Sequence, residues 1–410
     1  MKRYVIIGNG TAAAGIIEGI RNVDKEGRIT VISGEDHHVY SRPLISYYLE
    51  GKTDLERMKY RPDDFYETNG CEVLFGKQAE SIDKDGKTVK LCDGTIIPYD
   101  KLAVATGSRP FVPPMDGLEK VKKKFGFMTL GDALELEKVL TKDANVLIAG
   151  AGLIGLKCAE GIYGRVGHIT VCDLADRVLS SILDSDCAAI VENHLESKGV
   201  SFILSDTAAS FEENRAYMRS GKTVDFDILV LAVGVRANTG LIGSIGGNVN
   251  RGIVVNEKME TSIPGIYAAG DCAEGYDSAL GSNRVLAILP NAYMQGFTAG
   301  KNMAGSEAAL TNAIPMNSIG FFGLHMMTAG VYEGEMTEEK SEEGVKRFFV
   351  KDGLLKGFMI IGSTERTGIL TSLIREKTPL DTVDFGKVRT LVSNMIFTRE
   401  MRRKKFGGIV

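Results

Sequence analysis

The feature that most constrains this chain is a glycine pattern that occurs twice. Tyr4 to Gly15 reads YVIIGNGTAAAG: an apolar run, Val5 to Ile7, meets Gly8, Gly10 and Ala13 in the order G-x-G-x-x-A, and a small-residue segment able to open a helix follows. At Val146 to Gly155, VLIAGAGLIG, the same junction returns with Gly150, Gly152 and Gly155. The first glycine of such a pattern permits a tight strand-to-helix turn, and the second lets backbone approach a pyrophosphate. The small third residue lets the helix pack on the strand, and the free N–H groups of the helix N-terminus face the phosphates. Two copies a domain apart predict two dinucleotide sites on two Rossmann-like α/β units.

Each copy leads to a second strand, where an acidic residue roughly 20 residues past the glycines can accept hydrogen bonds from ribose hydroxyls. After Arg28 to Ser33 (RITVIS) the candidate is Glu35, for which a solvated loop charge is the plainer alternative. His168 to Asp173 (HITVCD) ends in Asp173, whose carboxylate would accept from a ribose 2′-hydroxyl and repel a 2′-phosphate. That favours NAD(H) over NADP(H), a preference that Arg177 four residues on could soften. Arg42, just before Pro43, has the forked donors that suit a phosphate.

With these motifs in place, the segment VYSRPLISYYLEG, Val39 to Gly51, resembles that of FAD-dependent NADH:rubredoxin oxidoreductases and of the flavin part of assimilatory nitrite reductases. Both belong to the pyridine nucleotide-disulfide oxidoreductase superfamily, and the resemblance runs through nearly the whole chain. YDKLAVATGSRP, Tyr99 to Pro110, is similar to the segment that leaves the first FAD half, with Thr106 and Gly107 approaching the cofactor. FDILVLAVGVRAN, Phe226 to Asn238, resembles the return strand of the NAD domain, with Ala237 in place of the usual proline. GIVVNEKMETSIPGIYAAGDCAEG, Gly252 to Gly275, resembles the second FAD signature, in which Gly270 and Asp271 contact the flavin's ribityl–phosphate region. Outside that context an aspartate at a strand end is a turn former. The helix expected from Ile288, with Pro290 in its first turn, points its N-terminus at the flavin in that family.

The resemblance implies a glutathione-reductase-like α/β architecture: an FAD domain over 1–112 and 240–311, an NAD domain over 113–239, and a C-terminal α+β interface domain over 312–410. Between Cys71 and Pro98 a small antiparallel insertion is expected, and around Asp352-Gly353 alternating apolar and polar residues read as antiparallel strands. The six basic residues Arg389, Arg399, Arg402, Arg403, Lys404 and Lys405 could dock an acidic partner or simply be solvated.

The departures narrow the chemistry. No cysteine precedes Cys71, so the thiolate that disulfide-reducing members place beside the flavin is missing. The six cysteines form no C-x-x-C pair, which argues against a cluster or metal carried by this chain. The lysine and glutamate that many ferredoxin reductases of this superfamily place about the nicotinamide fall, by motif register, at Tyr47 and Lys157. No side chain is required as general acid or base, because the flavin carries the chemistry. The expected activity is therefore electron transfer between NAD(H) and a separate iron–sulfur protein through FAD, in either direction. The acceptor would be rubredoxin, a ferredoxin, or the cluster subunit of a larger complex such as an aldehyde oxidoreductase. A stand-alone NADH oxidase and a flavin-bound structural or sensing subunit are the alternatives. The net charge of −4 gives no reason to expect nucleic acid, and no apolar run approaches a membrane span or signal peptide, so the expected location is the cytoplasm. Assembly as a homodimer or in a hetero-oligomeric complex is compatible with this reading.

Overall fold

The computed structural model describes residues 1–391 apart from 343, together with 397, 398 and 400. Strand β1 (Arg3–Ile7) opens the first sheet and feeds helix α1 (Thr11–Val23); β2 (Arg28–Ile32), a short helix α2 (Leu44–Leu49), β3 (Cys71–Leu74) and β4 (Lys101–Val104) follow. The chain then builds a second sheet from β5 (Lys124–Phe125), β6 (Asn145–Ala149), helix α3 (Leu153–Ile162), β7 (His168–Cys172), helix α4 (Ser185–Ser197), β8 (Val200–Ile203) and β9 (Ile228–Leu231). It returns to the first sheet with β10 (Ile266–Ala268) and helix α5 (Leu289–Ala304). The first sheet has the order β10-β4-β1-β2-β3 and the second β8-β7-β6-β9-β5, with every pairing parallel. Both are doubly wound sheets of the Rossmann type. Their central strands are buried on both faces, which explains the unbroken apolar runs: Tyr4 to Ile6 and Val146 to Ile148 are all at most 2% exposed.

The segment between Cys71 and Pro98 divides differently from expectation. Cys71–Leu74 joins the parallel sheet as its edge strand, and only Ala79–Asp83, Thr88–Leu91 and Ile96–Pro98 form the small antiparallel sheet. Four half-exposed residues carry too little periodicity to tell an edge strand of one sheet from the first strand of the next.

Two short strands, Ser108–Pro110 and Val235–Ala237, pair antiparallel where the chain passes between the two units. Beyond α5 an antiparallel sheet of β11 (Met316–Phe321), β12 (Leu324–Gly330), β13 (Glu335–Ser341), β14 (Gly344–Lys351) and β15 (Leu354–Gly362) has the order β11-β12-β15-β14-β13. The expected apolar–polar alternation gives way to apolar residues on both faces. Phe321, Met326, Phe349, Met359 and Ile361 join the core of the second unit. Their neighbours Met327, Phe348, Phe358 and Ile360 pack under helices α6 (Gly368–Arg375) and α7 (Phe385–Leu391). Arg347 on β14, almost wholly buried, locks this sheet to the second unit: it reaches Asp184 (2.5 Å) and Asp186 (2.8 Å) at the start of α4, and Glu338 (2.6 Å) on β13. Of the basic residues near the C-terminus, Arg389 pairs with Glu339 at 3.3 Å, and Arg399 and 402–405 lie outside the described residues.

Candidate functional site

Parallel strands put every motif residue at one edge of its sheet. Gly8 and Gly10 follow β1, Glu35 lies past β2, Thr106 and Gly107 follow β4, and Gly270 and Asp271 follow β10, all at carboxyl ends, where open α/β sheets hold ligands. The second sheet repeats the construction, with Gly150 and Gly152 after β6 and Asp173 after β7. Gly8 (φ +114°) and Gly150 (φ +116°) adopt the same left-handed conformation. A Cβ on Gly8 would stand 2.1 Å from the Ala105 carbonyl oxygen, and one on Gly150 2.3 Å from that of Ala232, so each turn is pressed on the neighbouring strand's end. At Gly10 and Gly152, by contrast, a Cβ would meet nothing within 4 Å, and the N-termini of α1 and α3 carry no side-chain cap. The free N–H groups thus open onto space, as a pyrophosphate requires. Ala13 and Gly155 fill the packing position: Ala13 is fully buried, and a Cβ on Gly155 would come within 1.9 Å of the Gly150 carbonyl oxygen.

Helix α5 brings a second N-terminus to the first cradle. A Cβ on Gly15 would lie 2.5 Å from the Tyr293 carbonyl oxygen, one on Gly19 2.3 Å from that of Phe297, one on Gly296 2.1 Å from that of Ala12, and one on Gly300 2.2 Å from that of Ile16. Residue numbers rise together along this seam, so α1 and α5 run parallel and nearly touch, and their positive ends point the same way.

The polar residues of the first cradle are tied to one another. Glu35 accepts from the Arg42 Nη2 (2.8 Å) and the Tyr40 hydroxyl (2.7 Å), and Arg42 also donates to the Met128 carbonyl (2.8 Å) of the second unit. Two of the five N–H donors of Arg42 are thereby engaged by protein groups. Thr106 and Asn238 bond reciprocally across the two connecting strands, Thr106 Oγ1 to the Asn238 carbonyl (3.1 Å) and Asn238 Nδ2 to the Thr106 carbonyl (2.8 Å). Gly107 has φ +62°, and its carbonyl accepts from Asn238 N at 2.9 Å. Asp271 is mostly buried, and burial pushes its carboxyl above the ordinary range against the Ser108 hydroxyl, 3.3 Å away, and the charge of Arg42. A hydroxyl-bearing ligand would add a second donor to this carboxylate.

In the second cradle Asp173 accepts from Ala151 N (2.7 Å), in the glycine loop, and from Ala175 N (2.8 Å). Arg177 does not reach toward it: its Nη1 donates to Asp176 (2.7 Å) and its Nε to the Leu183 carbonyl (3.2 Å). Between the cradles α3 packs on α2, where a Cβ on Gly161 would lie 2.9 Å from the Ser46 carbonyl oxygen. There Tyr47 and Lys157 meet, the ammonium 4.6 Å from the ring centroid. Lys157 is paired with the buried Glu160, which also accepts from Phe322 N (2.6 Å) of the C-terminal sheet.

Two bracing elements, the Asn9–Tyr66 pair and one residue of α5, escape motif reading. Asn9, between the first two glycines, accepts from the Tyr66 hydroxyl (2.7 Å) and donates to the His37 carbonyl (3.3 Å), and Tyr66 also accepts from Val39 N (3.2 Å). Gln295 on α5 is the other. The asparagine inside a glycine loop was a usable signal; nothing local marks Tyr66 or Gln295. Among the cysteines, burial pushes the thiols of Cys71, Cys172 and Cys187 up to about 12, and those of Cys158 and Cys272 upward as well. None of these five is a ready thiolate at neutral pH.

The pyridine nucleotide-disulphide oxidoreductase model matches residues 2–296. The chain belongs to this family. Over 392 residues it is 30% identical to the NADH-dependent phenylglyoxylate dehydrogenase subunit epsilon of Aromatoleum evansii, covering 92% of each chain. It is 32% identical to the nitrite reductase [NAD(P)H] of Bacillus subtilis (strain 168) over 368 residues, 88% of this chain but only 44% of that one. Among solved structures, that of a covalent putidaredoxin reductase–putidaredoxin complex superposes with a TM-score of 0.88 at 25% identity, covering 96% of this chain and 97% of that one. This family member is an NAD(H)-dependent flavoprotein oxidoreductase whose cofactors are FAD and NAD(H). No helix among the described residues is long and apolar enough to cross a membrane.

Proposed function

We propose that this chain moves electrons between NADH and a separate iron–sulfur protein, with FAD in the first cradle and the nicotinamide nucleotide in the second. When bound, FAD supplies the two-electron acceptor for NADH and the one-electron donor for the partner. The chain's own residues bind and orient. Gly8, Gly10 and Ala13 receive the FAD pyrophosphate at the α1 N-terminus, Asp271 accepts from the ribityl region, and Thr106 and Gly107 shape the wall beside it. Glu35 faces the adenosine ribose and is oriented for it by Arg42 and Tyr40. In the second cradle Gly150, Gly152 and Gly155 receive the NADH pyrophosphate, and Asp173, with lone pairs to spare beyond its two backbone donors, takes the ribose hydroxyls. Arg177 donates to Asp176 and to the Leu183 carbonyl rather than to Asp173, which favours NADH over NADPH. Tyr47 and Lys157 border the passage between the cradles and orient the nicotinamide.

The observation that carries this reading is the pair of near-identical cradles, joined by the Ser108–Pro110 and Val235–Ala237 crossing, in a chain with no cysteine before Cys71. Two nucleotides without a thiolate relay favour a carrier outside the chain as the electron acceptor. Ferredoxin, rubredoxin and a cluster-bearing subunit share the required chemistry, and the relative named as a dehydrogenase subunit supports the last. The domain limits that accompany this reading are 1–112 with 240–311 for FAD, 113–239 for NAD and 312–410 for the C-terminal unit.

The test is an anaerobic titration of the flavin-loaded protein with NADH, followed by an iron–sulfur carrier. Bleaching by NADH with reoxidation only on adding the carrier is expected. Rapid aerobic turnover without a carrier would make the protein an NADH oxidase instead. Bound flavin that NADH does not bleach would refute the second cradle as a working NADH site.

A further inference from the structure

We infer that Gln295, a residue no motif singles out, is a positioning residue for the flavin site, acting through the Gly270–Asp271 turn; this rests on Asp271 being a contact of FAD. Gln295 lies in the middle of α5 and is 2% exposed. A primary amide so deeply buried costs stability unless its polar atoms are bonded. Its Oε1 accepts from Gly270 N at 2.9 Å, a bond that is itself buried.

The turn it holds is tied at its flanks, where Ala269 N donates to the Val104 carbonyl (3.1 Å) and the Cys272 carbonyl accepts from Ile253 N (2.7 Å), and Gln295 acts at its apex. Gly270 sits at φ +82°, and a Cβ there would stand 3.0 Å from Ala12 Cβ of α1 and 3.7 Å from Ala292 Cβ of α5. The turn is therefore wedged between the two helices whose N-termini serve the first cradle. Its carbonyl accepts from Ala273 N at 2.9 Å, so Gln295 supplies the partner for the one backbone group left over. Without that acceptor Gly270 N is a buried donor unpaired, which the turn can relieve only by rotating, and rotation swings Asp271 away from the cradle. On the far side the carboxylate is held by the long 3.3 Å hydrogen bond from Ser108 and by the charge of Arg42. Gln295 thus fixes from behind a carboxylate that it does not touch.

The experiment compares FAD release from the holoprotein, by flavin fluorescence on dilution, for wild type, Gln295→Met, Asp271→Ala and the double variant. Methionine keeps length and volume and removes the acceptor. Gln295→Met should weaken FAD retention about tenfold, the effect of a buried donor left unpaired. Because the residue acts through Asp271, adding Gln295→Met to Asp271→Ala should cost less than about threefold more. Full additivity, or wild-type retention in Gln295→Met, would overturn the inference while leaving Asp271 in place. Wild-type retention in Asp271→Ala would overturn the Asp271 assignment and this inference with it. Should Gln295→Met fail to fold, amide exchange in the wild-type holoprotein decides: Gly270 N–H should be protected like the amides of β10, and fast exchange would overturn the bond.

Discussion

Replacing Gly296 by alanine should destabilise the protein, although glycine-to-alanine changes inside helices ordinarily do the reverse. Helix propensity favours alanine by about 1 kcal/mol. Against this stands the seam between α5 and α1, where the new methyl would lie 2.1 Å from the Ala12 carbonyl oxygen and 3.0 Å from Ala12 C. Both are backbone atoms, so no side chain can rotate away. Relief requires the helices to separate by roughly 1 Å, an overpacking cost of about 1–3 kcal/mol that cancels or exceeds the propensity gain. The displaced segment is the first turn of α1, so the FAD cradle opens as the helices part. The internal control is Gly131, in the helix Leu130–Glu137, where a Cβ would find only Thr129 Oγ1 at 3.6 Å. Gly131→Ala should gain about 0.5–1 kcal/mol. The assay is thermal unfolding with FAD content measured on the same samples. Gly296→Ala should lose up to about 3 °C for a chain of this length and release FAD more readily, and Gly131→Ala should do neither. Gly296→Ala that melts at or above the wild-type temperature with FAD fully retained would refute the close-contact reasoning.

Further outcomes are open to measurement. Asp173→Ala removes both the ribose acceptor and the brace on Ala151 N, so KM for NADH should rise at least about tenfold with FAD content unchanged, and steady-state kinetics checks it. Lys157→Met and Tyr47→Leu break the contact between α2 and α3; on the proposed function, stopped-flow flavin reduction by NADH should slow in both while FAD stays bound, and unchanged rates would remove these residues from the site. Arg347→Met leaves three carboxylates without their shared cation and should cost about 3 kcal/mol in chemical denaturation, the low end for a buried pair because Asp186 is exposed. Burial works to raise the Asp184 carboxyl, but the Cys187 N–H and the Arg347 guanidinium outweigh it and hold it below the usual range. A lowered folded-state value means stabilisation present above the unfolded value, about 3.9, and lost as the pH falls through the folded one. Stability measured down an acid series should therefore fall more steeply below about pH 4 in wild type than in Arg347→Met.

What could be read from the chain alone was whatever depends on a residue and its near neighbours. A glycine at Gly8 or Gly150 is demanded by a local turn, an acid after β7 by the length of one βαβ unit, and the missing early cysteine by the composition of one stretch. The AAGD spelling at Ala268 to Asp271 belongs to the same class. Those features predict two dinucleotide sites before any coordinate is known, and the family resemblance they carry implies that one of them takes FAD. The tertiary structure decided what depends on residues far apart in sequence. It turned Arg42 to Glu35 and Met128 and Arg177 to Asp176 and Leu183, because a guanidinium takes the nearest acceptors the fold offers it. It set α1 and α5 parallel through four glycines whose meaning lies only in their pairing. It also placed Gln295 behind Gly270 and Tyr66 behind Asn9. An amide or a hydroxyl acquires its role from the buried backbone group it must satisfy, and which group that is follows from packing, where local pattern carries no information.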